Sequence, residues 1–317
     1  MKDFSKKECQ DLFDGKRVSS LLPYDSLDES AQVRQMIQDG SGHLSISGAQ
    51  EKYAMVEDNG ILRFSRKGES GHYILKPVPS DARFSFREDM PANEYLTMHL
   101  AKTAYHLPVA AYGLVWFGNG QPAYLTRRFD YLPNGGKAAM EDLASLAGLN
   151  RENSGENYKY HLSYEDCAFW IARYCPASKV ELLRFYRYVI FNYLFCNADA
   201  HLKNFSLMDD GKGFYRLSPG YDLLNTLLHL SSPIFALEKG LFKEGTPILD
   251  TTPIGRPMFE EFGHRIGLPE RVVQKELEFF AEDKEEVFDL IEESLLSDDA
   301  RKSYKAFFEY RLSTMQL

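Results

Sequence analysis

The chain has 317 residues, 44% of them hydrophobic and 14% aromatic, which is enough to bury a substantial core in one bilobal unit or two adjoining domains. Its formal net charge of −9 and pI near 5.5 argue against free-standing nucleic-acid binding, because phosphate contacts need clustered Lys and Arg. Any contact with DNA is therefore expected to come through a partner.

The four cysteines show no CxxC spacing, which argues against a disulfide framework or a zinc site and fits a reducing compartment. The first residues, MKDFSKKECQ, are charged and lack the apolar stretch of a secretory signal. The most apolar segments, such as Tyr188 to Cys196, reach only about half of the ~20 residues that span a bilayer. We therefore expect a cytoplasmic protein without membrane contact.

Short β-branched and aromatic runs separated by turn residues fill the first part of the chain, from about Ser45 to Phe129. This pattern predicts a small sheet, interrupted by one helix near Asn93 to Tyr105, where leucine and alanine recur at four-residue spacing. The predicted strands are YAMV at 53–56, ILRFS at 61–65, HYILK at 72–76, GLVWF at 113–117 and PAYLTR at 122–127.

Helical patterns dominate the chain after Asp130. The clearest one runs from Val180 to Cys196, where apolar residues keep the i, i+3, i+4, i+7 rhythm of a buried face. Acidic amphipathic helices are predicted beyond Pro269. The change of character predicts an α+β fold with a small strand-rich N-lobe at 1–130 and a larger, mostly helical C-lobe at 131–317.

The segment NADAHLKNFSLMDDGKGFYRLSPGYD, residues 197 to 222, directly follows the clearest helix and predicts a hairpin. Its strands are expected at 205–208 and 214–217, because DDGKG between them supplies the Asp and Gly residues of a tight reversal. Asp199 and Asn204 stand just before the first strand, and Asp222 stands just after the second. The sequence therefore predicts that three oxygen-bearing side chains converge on one site.

Converging Asp, Asn and Asp side chains supply what phosphoryl transfer needs, an oriented hydroxyl and a magnesium ion held by oxygen ligands. The five-residue offset from Asp199 to Asn204 equals the offset between the base and the metal-binding Asn of kinase catalytic loops. We assign Asp199 to the proton of the substrate hydroxyl and Asn204 and Asp222 to magnesium, while His201 and Lys203 support them. Taken singly, these residues are also compatible with helix caps, turns or, for the histidine, a buried core position.

A kinase site also needs a cation on the ATP phosphates, and Lys76 ends the strand HYILK where the strand lysine of a kinase small lobe stands. Glu94 on the following helix is expected to pair with Lys76, although a solvated surface pair gives the same pattern. The loop before the first strand fits either a phosphate-binding loop or a simple turn. Its candidate residues are Ser45, Ser47, Gly48 and Lys52.

Seven segments together resemble, in order, the motif series of the HipA family of toxin kinases over about residues 44 to 230. They are SISGAQEK, HYILKP, NEYLTMHLAK, TRRFD, EDLASLAG, NADAHLKNFSL and LSPGYD, of which DAHLKN followed by YD is the most specific. The resemblance implies a bilobal, protein-kinase-like fold. It places the family's catalytic, metal-binding and phosphate-binding residues on the positions already assigned.

By this resemblance the chain is expected to be a serine/threonine kinase of a bacterial toxin–antitoxin module that uses ATP and Mg²⁺. The expected substrate is an aminoacyl-tRNA synthetase, whose phosphorylation halts translation. Arg127 and Phe129 in TRRFD match the segment between the lobes whose backbone contacts adenine. Autophosphorylation of the serine-glycine loop switches family members off, which makes Ser45 and Ser47 regulatory candidates.

Only 44 residues precede Ser45, whereas longer family members carry an additional small domain there. The chain is therefore more similar to the short HipT-type toxins of three-gene modules. That similarity implies two partners, a HipB-like helix-turn-helix antitoxin that contacts DNA and a HipS-like small protein that resembles the missing domain.

Two other functions fit the same residues. A small-molecule or lipid kinase shares the Asp, Asn and Asp arrangement, and a non-catalytic pseudokinase module of an operator-binding repressor complex keeps the fold without turnover. Labelled ATP distinguishes the three, since the label is expected on protein, on metabolites or lipids, or nowhere.

Overall fold

The computed structural model of the chain describes residues 3–27, 50–132, 136–209, 211–246 and 254–317. A five-stranded sheet occupies the first part of the chain, and helices fill most of the remainder, so the predicted α+β class is confirmed. The strands lie in the order β2-β1-β3-β5-β4, and every neighbouring pair is antiparallel. They are β1 (Tyr53–Asp58), β2 (Ile61–Phe64), β3 (Tyr73–Pro77), β4 (Tyr112–Trp116) and β5 (Pro122–Arg127).

A short helix that the sequence analysis did not predict, α1 (Lys6–Phe13), packs on this sheet. It begins at a capping box in which the Ser5 hydroxyl accepts from the Glu8 backbone N–H while the Glu8 carboxylate accepts from the Ser5 backbone N–H. Its buried Leu12 and Phe13 join the core of one sheet face. Helix α2 (Met90–Thr103), close to the predicted helix, lies against the other face, because alternate strand residues point to opposite sides.

The hairpin predicted after the long helix is present and belongs to a second, three-stranded sheet of order β6-β7-β8. Its strands are β7 (Ser206–Asp209) and β8 (Tyr215–Leu217), and β6 (Met140–Asp142) pairs with β7. Strand β6 is only three residues long, too short for an alternating pattern, and was not predicted.

The helices after the first sheet include the predicted core helix, α6 (Ser178–Leu194), and the predicted helices beyond Pro269. In chain order they are α3 (Leu143–Leu146), α4 (Arg151–Ser154), α5 (Tyr164–Tyr174), α6, α7 (Arg256–Arg265), α8 (Glu270–Ala281), α9 (Glu285–Glu292) and α10 (Asp298–Gln316). No helix within the described ranges is both long and apolar enough to cross a membrane.

Helix α2 is bonded to the C-terminal half of the molecule by buried polar side chains. The Asp89 carboxylate, just before the helix, accepts from the backbone N–H and the hydroxyl of Ser297 at 2.6 and 2.8 Å. Thr97 shares a 2.8 Å hydrogen bond with the hydroxyl of Tyr304 on α10. The apolar residues of α2 likewise belong to the same core as α6 and α10. The lobe boundary at residue 131 stays a prediction.

Candidate active site

The centre of the site is an ion pair between strand β3 and helix α2. The Lys76 ammonium lies within hydrogen-bond distance of the Glu94 carboxylate, and both side chains are fully buried. The same ammonium lies 2.6 Å from Asp222 Oδ1. Burial alone would lower the pKa of Lys76, but the charges of Asp222 and Glu94 raise it above its ordinary value. Burial raises the pKa of Glu94, against the attraction of Lys76. Lys76 and Glu94 therefore form a buried, hydrogen-bonded pair and not the solvated surface pair that their spacing also allowed.

A second buried lysine contacts the same carboxylate. Lys52 Nζ lies 3.2 Å from Asp222 Oδ2, and the Lys52 side chain is 2% exposed. Burial lowers the pKa of Lys52, against the attraction of Asp222. The sequence analysis named Lys52 in the loop before β1 but gave it no role. Lys52 immediately precedes β1, and β1 pairs with β3, the strand that carries Lys76. This adjacency could have identified Lys52 as a second cation of the site.

Asp222 is held in place by the chain just before it. Gly220 donates its backbone N–H to the Pro108 carbonyl at 2.9 Å and to the Tyr188 hydroxyl at 3.0 Å, and its carbonyl accepts from the Ala110 N–H. A Cβ at Gly220 would lie 2.7 Å from the Tyr188 ring, so the close approach needs glycine. Burial would raise the pKa of Asp222, but the charges of Lys52 and Lys76 hold it well below its usual range.

Asn204 lies beside Asp222, as the predicted hairpin requires. Its Nδ2 donates to Asp222 Oδ2 at 3.3 Å. Its Oδ1 is buried and accepts no hydrogen bond from the described residues. A buried amide oxygen without a donor is costly, and an amide oxygen next to a carboxylate is a ligand pair that Mg²⁺ accepts. The residues present therefore fit a magnesium ion at Asn204 and Asp222.

Asp199 faces the same site from the start of the predicted segment. Its Oδ1 accepts a 2.7 Å hydrogen bond from the hydroxyl of Tyr160, which stands on the single turn Tyr158–Tyr160. The charges of both Asp199 and Asp222 act on the half-buried ammonium of Lys159, so the two carboxylates share one electrostatic environment. The sequence analysis did not single out Tyr160, because no local spacing links it to a residue 39 positions later.

His201 and Lys203, the two predicted supporting residues, differ in their contacts. The His201 ring is buried, neither ring nitrogen has a hydrogen-bond partner among the described residues, and burial lowers its pKa to about 4. Lys203 Nζ lies 3.0 Å from the carboxylate of Asp142, which caps α3. The described contacts are thus an ion pair to the start of α3 for Lys203 and an edge-on contact with the Tyr160 ring for His201, and their supporting role stays a prediction.

Arg127 is the last residue of β5, and Phe129 follows shortly after it. Phe129 packs on Tyr221, the neighbour of Asp222, at a ring-centroid distance of 5.5 Å. The Arg127 side chain pairs with Asp14 at 2.7 Å, and its backbone N–H donates to the Ala111 carbonyl at 2.9 Å. The adenine contact expected through the backbone of this segment stays a prediction. Ser45, Ser47 and Gly48 lie outside the described residues.

Comparisons with known proteins place this geometry in context. A family model described as HipA-like C-terminal domain matches residues 44–288. A curated protein of Haemophilus influenzae, named "Putative kinase", is 27% identical over 330 residues, which cover 99% of this chain and 93% of that protein.

Two solved structures share the fold. The HipA chain of a Shewanella oneidensis toxin–antitoxin complex of HipA, HipB and operator DNA matches with a TM-score of 0.66 and 22% identity, over 90% of this chain and 70% of that chain. The proinflammatory kinase CtkA of Helicobacter pylori matches with a TM-score of 0.55 and 16% identity, over 87% of this chain and 91% of that chain. These likenesses confirm the predicted kinase-like fold.

Proposed function

The chain belongs to the HipA-like C-terminal domain family, and on that premise we propose that it is an ATP- and magnesium-dependent serine/threonine protein kinase. The observation that carries the proposal is the position of Asp222, which contacts two buried lysines and lies next to the Asn204 amide. The Oδ1 atom of that amide has no hydrogen-bond partner in the part of the chain that the structure describes. Two cations and two oxygen ligands at one point are what a triphosphate and its metal require.

Each residue of the site has a distinct role in this proposal. Asn204 Oδ1 and the Asp222 carboxylate hold magnesium, which neutralises phosphate charge when bound. Lys76, kept in place by Glu94, binds the phosphates of ATP. Asp199 orients the acceptor hydroxyl and receives its proton. In this proposal, Phe129 and the backbone near Arg127 contact the adenine.

We further propose that the chain is the toxin of a bacterial toxin–antitoxin module in the cytoplasm and phosphorylates an aminoacyl-tRNA synthetase. The solved Shewanella complex contains HipA, HipB and operator DNA, which supports a HipB-like antitoxin as partner. The net charge of −9 agrees with DNA contact through that partner alone. The HipT-type assignment adds a HipS-like small protein as a second partner.

Autophosphorylation at Ser45 or Ser47 is the proposed regulation. A phosphate there adds nearly two negative charges, which repel the loop from a site that holds ATP phosphates and Asp222. The test compares the parent with a Ser45→Ala, Ser47→Ala double variant incubated with labelled ATP. Equal self-labelling of the two proteins would contradict this regulation. The proposal that the chain phosphorylates other proteins does not depend on that outcome.

The main experiment is transfer of labelled phosphate from ATP into the proteins of a bacterial lysate. The parent chain is expected to label protein, whereas Asp199→Ala and Asp222→Ala are expected to be folded, as judged by circular dichroism, and inactive. Label on metabolites or lipids alone would overturn the protein-kinase proposal. Binding of ATP without any transfer would assign the chain to a pseudokinase module.

A further inference from the structure

The turn Tyr158–Tyr160 presents its last side chain to the proposed catalytic base. This turn is anchored on its far side, because the Tyr160 carbonyl accepts a 2.8 Å hydrogen bond from the backbone N–H of Glu238. The Tyr160 hydroxyl donates to Asp199 Oδ1 at 2.7 Å, a distance typical of a hydrogen bond to a charged acceptor. Burial raises the pKa of this hydroxyl above its ordinary value, so it stays protonated and remains a donor.

The Tyr160 ring has two neighbours that restrict it. One neighbour is the buried ring of His201, which meets it edge-on at a centroid distance of 5.3 Å. Another is the ammonium of Lys159, 4.8 Å from the ring centroid. A phenol held in this way has little freedom, so its hydroxyl defines where Asp199 Oδ1 lies.

The second oxygen of Asp199 is in a different situation. Within the described ranges, the Asp199 carboxylate accepts one side-chain hydrogen bond, which the Tyr160 hydroxyl donates to Oδ1. Oδ2 is left for another donor. A base must offer one oxygen to the proton that it receives, and a carboxylate that rotates freely about its last bond does so only part of the time.

We propose that Tyr160 is a positioning residue, which holds Asp199 through Oδ1 so that Oδ2 faces the hydroxyl of the acceptor serine or threonine. The inference rests on the proposed function of Asp199 as the base. It predicts that the Tyr160 hydroxyl matters for the turnover step and not for binding ATP, since Tyr160 contacts neither lysine at Asp222 and neither proposed metal ligand.

The test is Tyr160→Phe, which keeps the ring against His201 and removes the hydroxyl. We expect kcat for phosphate transfer to fall about 10- to 100-fold, the range for losing a hydrogen bond to a charged group, while the Kd for ATP is unchanged. The matched control is Tyr186→Phe, which removes a buried hydroxyl bonded to the Phe259 carbonyl at 3.0 Å, away from the site. The control is expected to lower Tm and to leave kcat unchanged.

A double-mutant cycle on Tm supplies a readout that does not depend on turnover. Tyr160→Phe is expected to lower Tm in the parent and to have a clearly smaller effect when Asp199 is already Asn, because the charged acceptor is gone. Equal effects of Tyr160→Phe in both backgrounds, or a Tyr160→Phe enzyme with the parent kcat, would overturn the inference. Failure of the parent to transfer phosphate would instead overturn the proposed function, so the two failures are distinct.

Discussion

Asp222 is contacted by the buried ammonium groups of Lys52 and Lys76, and these two lysines differ in whether they have a second carboxylate partner. Lys76 retains Glu94 as a second partner when Asp222 is engaged elsewhere, whereas Asp222 is the ion-pair partner recorded for Lys52 among the described residues. A buried charge that loses its partner is strongly unfavourable. On the proposed function, in which Asp222 binds magnesium, we therefore expect the Lys52 ammonium to pair with the phosphates of the nucleotide as a second phosphate-binding cation.

Lys52→Met tests this role. We expect the variant to fold, because the methionine fills the buried space and Lys76 still neutralises Asp222. Its Kd for ATP with magnesium is expected to rise about tenfold, as for loss of a charge-assisted hydrogen bond. Titration calorimetry measures this, with exposed Lys67→Met as the control. A parent-like Kd for Lys52→Met would show that its charge serves the unbound protein alone.

His201 predicts a dependence of stability on pH. Its folded pKa of about 4 lies below the ordinary 6.5, so the unfolded chain binds a proton that the folded chain does not. Stability from this group is complete above pH 6.5 and is lost as pH falls toward 4, by roughly 3 kcal/mol. His201→Leu is expected to lose less unfolding free energy than the parent over that range in urea titrations. His99 and His229, whose pKa values burial also lowers, remain in both proteins.

Some residues of the candidate site could be predicted from the sequence and others could not. Asp199, Asn204 and Asp222 were predicted together because one hairpin separates them, and a hairpin follows from local turn residues. Lys52 and Tyr160 were not assigned, because their contacts join residues 170 and 39 positions apart and depend on how whole elements pack. Pairings of that kind leave no local spacing to detect.

At the scale of elements, the strands of the first sheet were predicted within two residues at each end, since each has a clear run of β-branched and aromatic residues. Helix α1 was missed although Ser5 and Glu8 carry a capping-box pattern, because only Leu12 and Phe13 follow it as buried residues. One buried pair is too little periodicity to mark a helix.

The contact between α1 and strand β4 predicts that a side chain at Gly113 destabilises the protein. A Cβ at Gly113 would lie 2.8 Å from atoms of both Leu12 and Phe4, so the sheet accepts α1 only because this position lacks a side chain. Gly113→Val is expected to lower the unfolding free energy by about 1–3 kcal/mol through overpacking. Chemical denaturation measures the loss. Combined with Leu12→Ala, the loss is expected to be smaller than the sum of the two single losses, and strictly additive losses would argue against the contact.

At the scale of the whole molecule, the polar contacts between α2 and the C-terminal helices predict how the two halves are coupled. Asp89→Ala removes the two hydrogen bonds that the exposed Ser297 donates to the buried, charged carboxylate of Asp89. We expect a loss of about 1–3 kcal/mol in unfolding free energy. The control, Asp299→Ala in the exposed first turn of α10, is expected to change it little. Equal losses for both variants would contradict the coupling.

The attachment of α2 also sets the limits of motion in this molecule. In a protein where the helix bearing the glutamate is free to swing outward, that swing separates glutamate from lysine and acts as an off switch. Here, Asn93 on the same helix exchanges hydrogen bonds with the backbone of Asn225 at 2.8 and 3.0 Å, one residue before Glu94. An outward swing would break both of these hydrogen bonds, so we expect a small molecule that requires a swung-out helix to lose part of its binding free energy to that step.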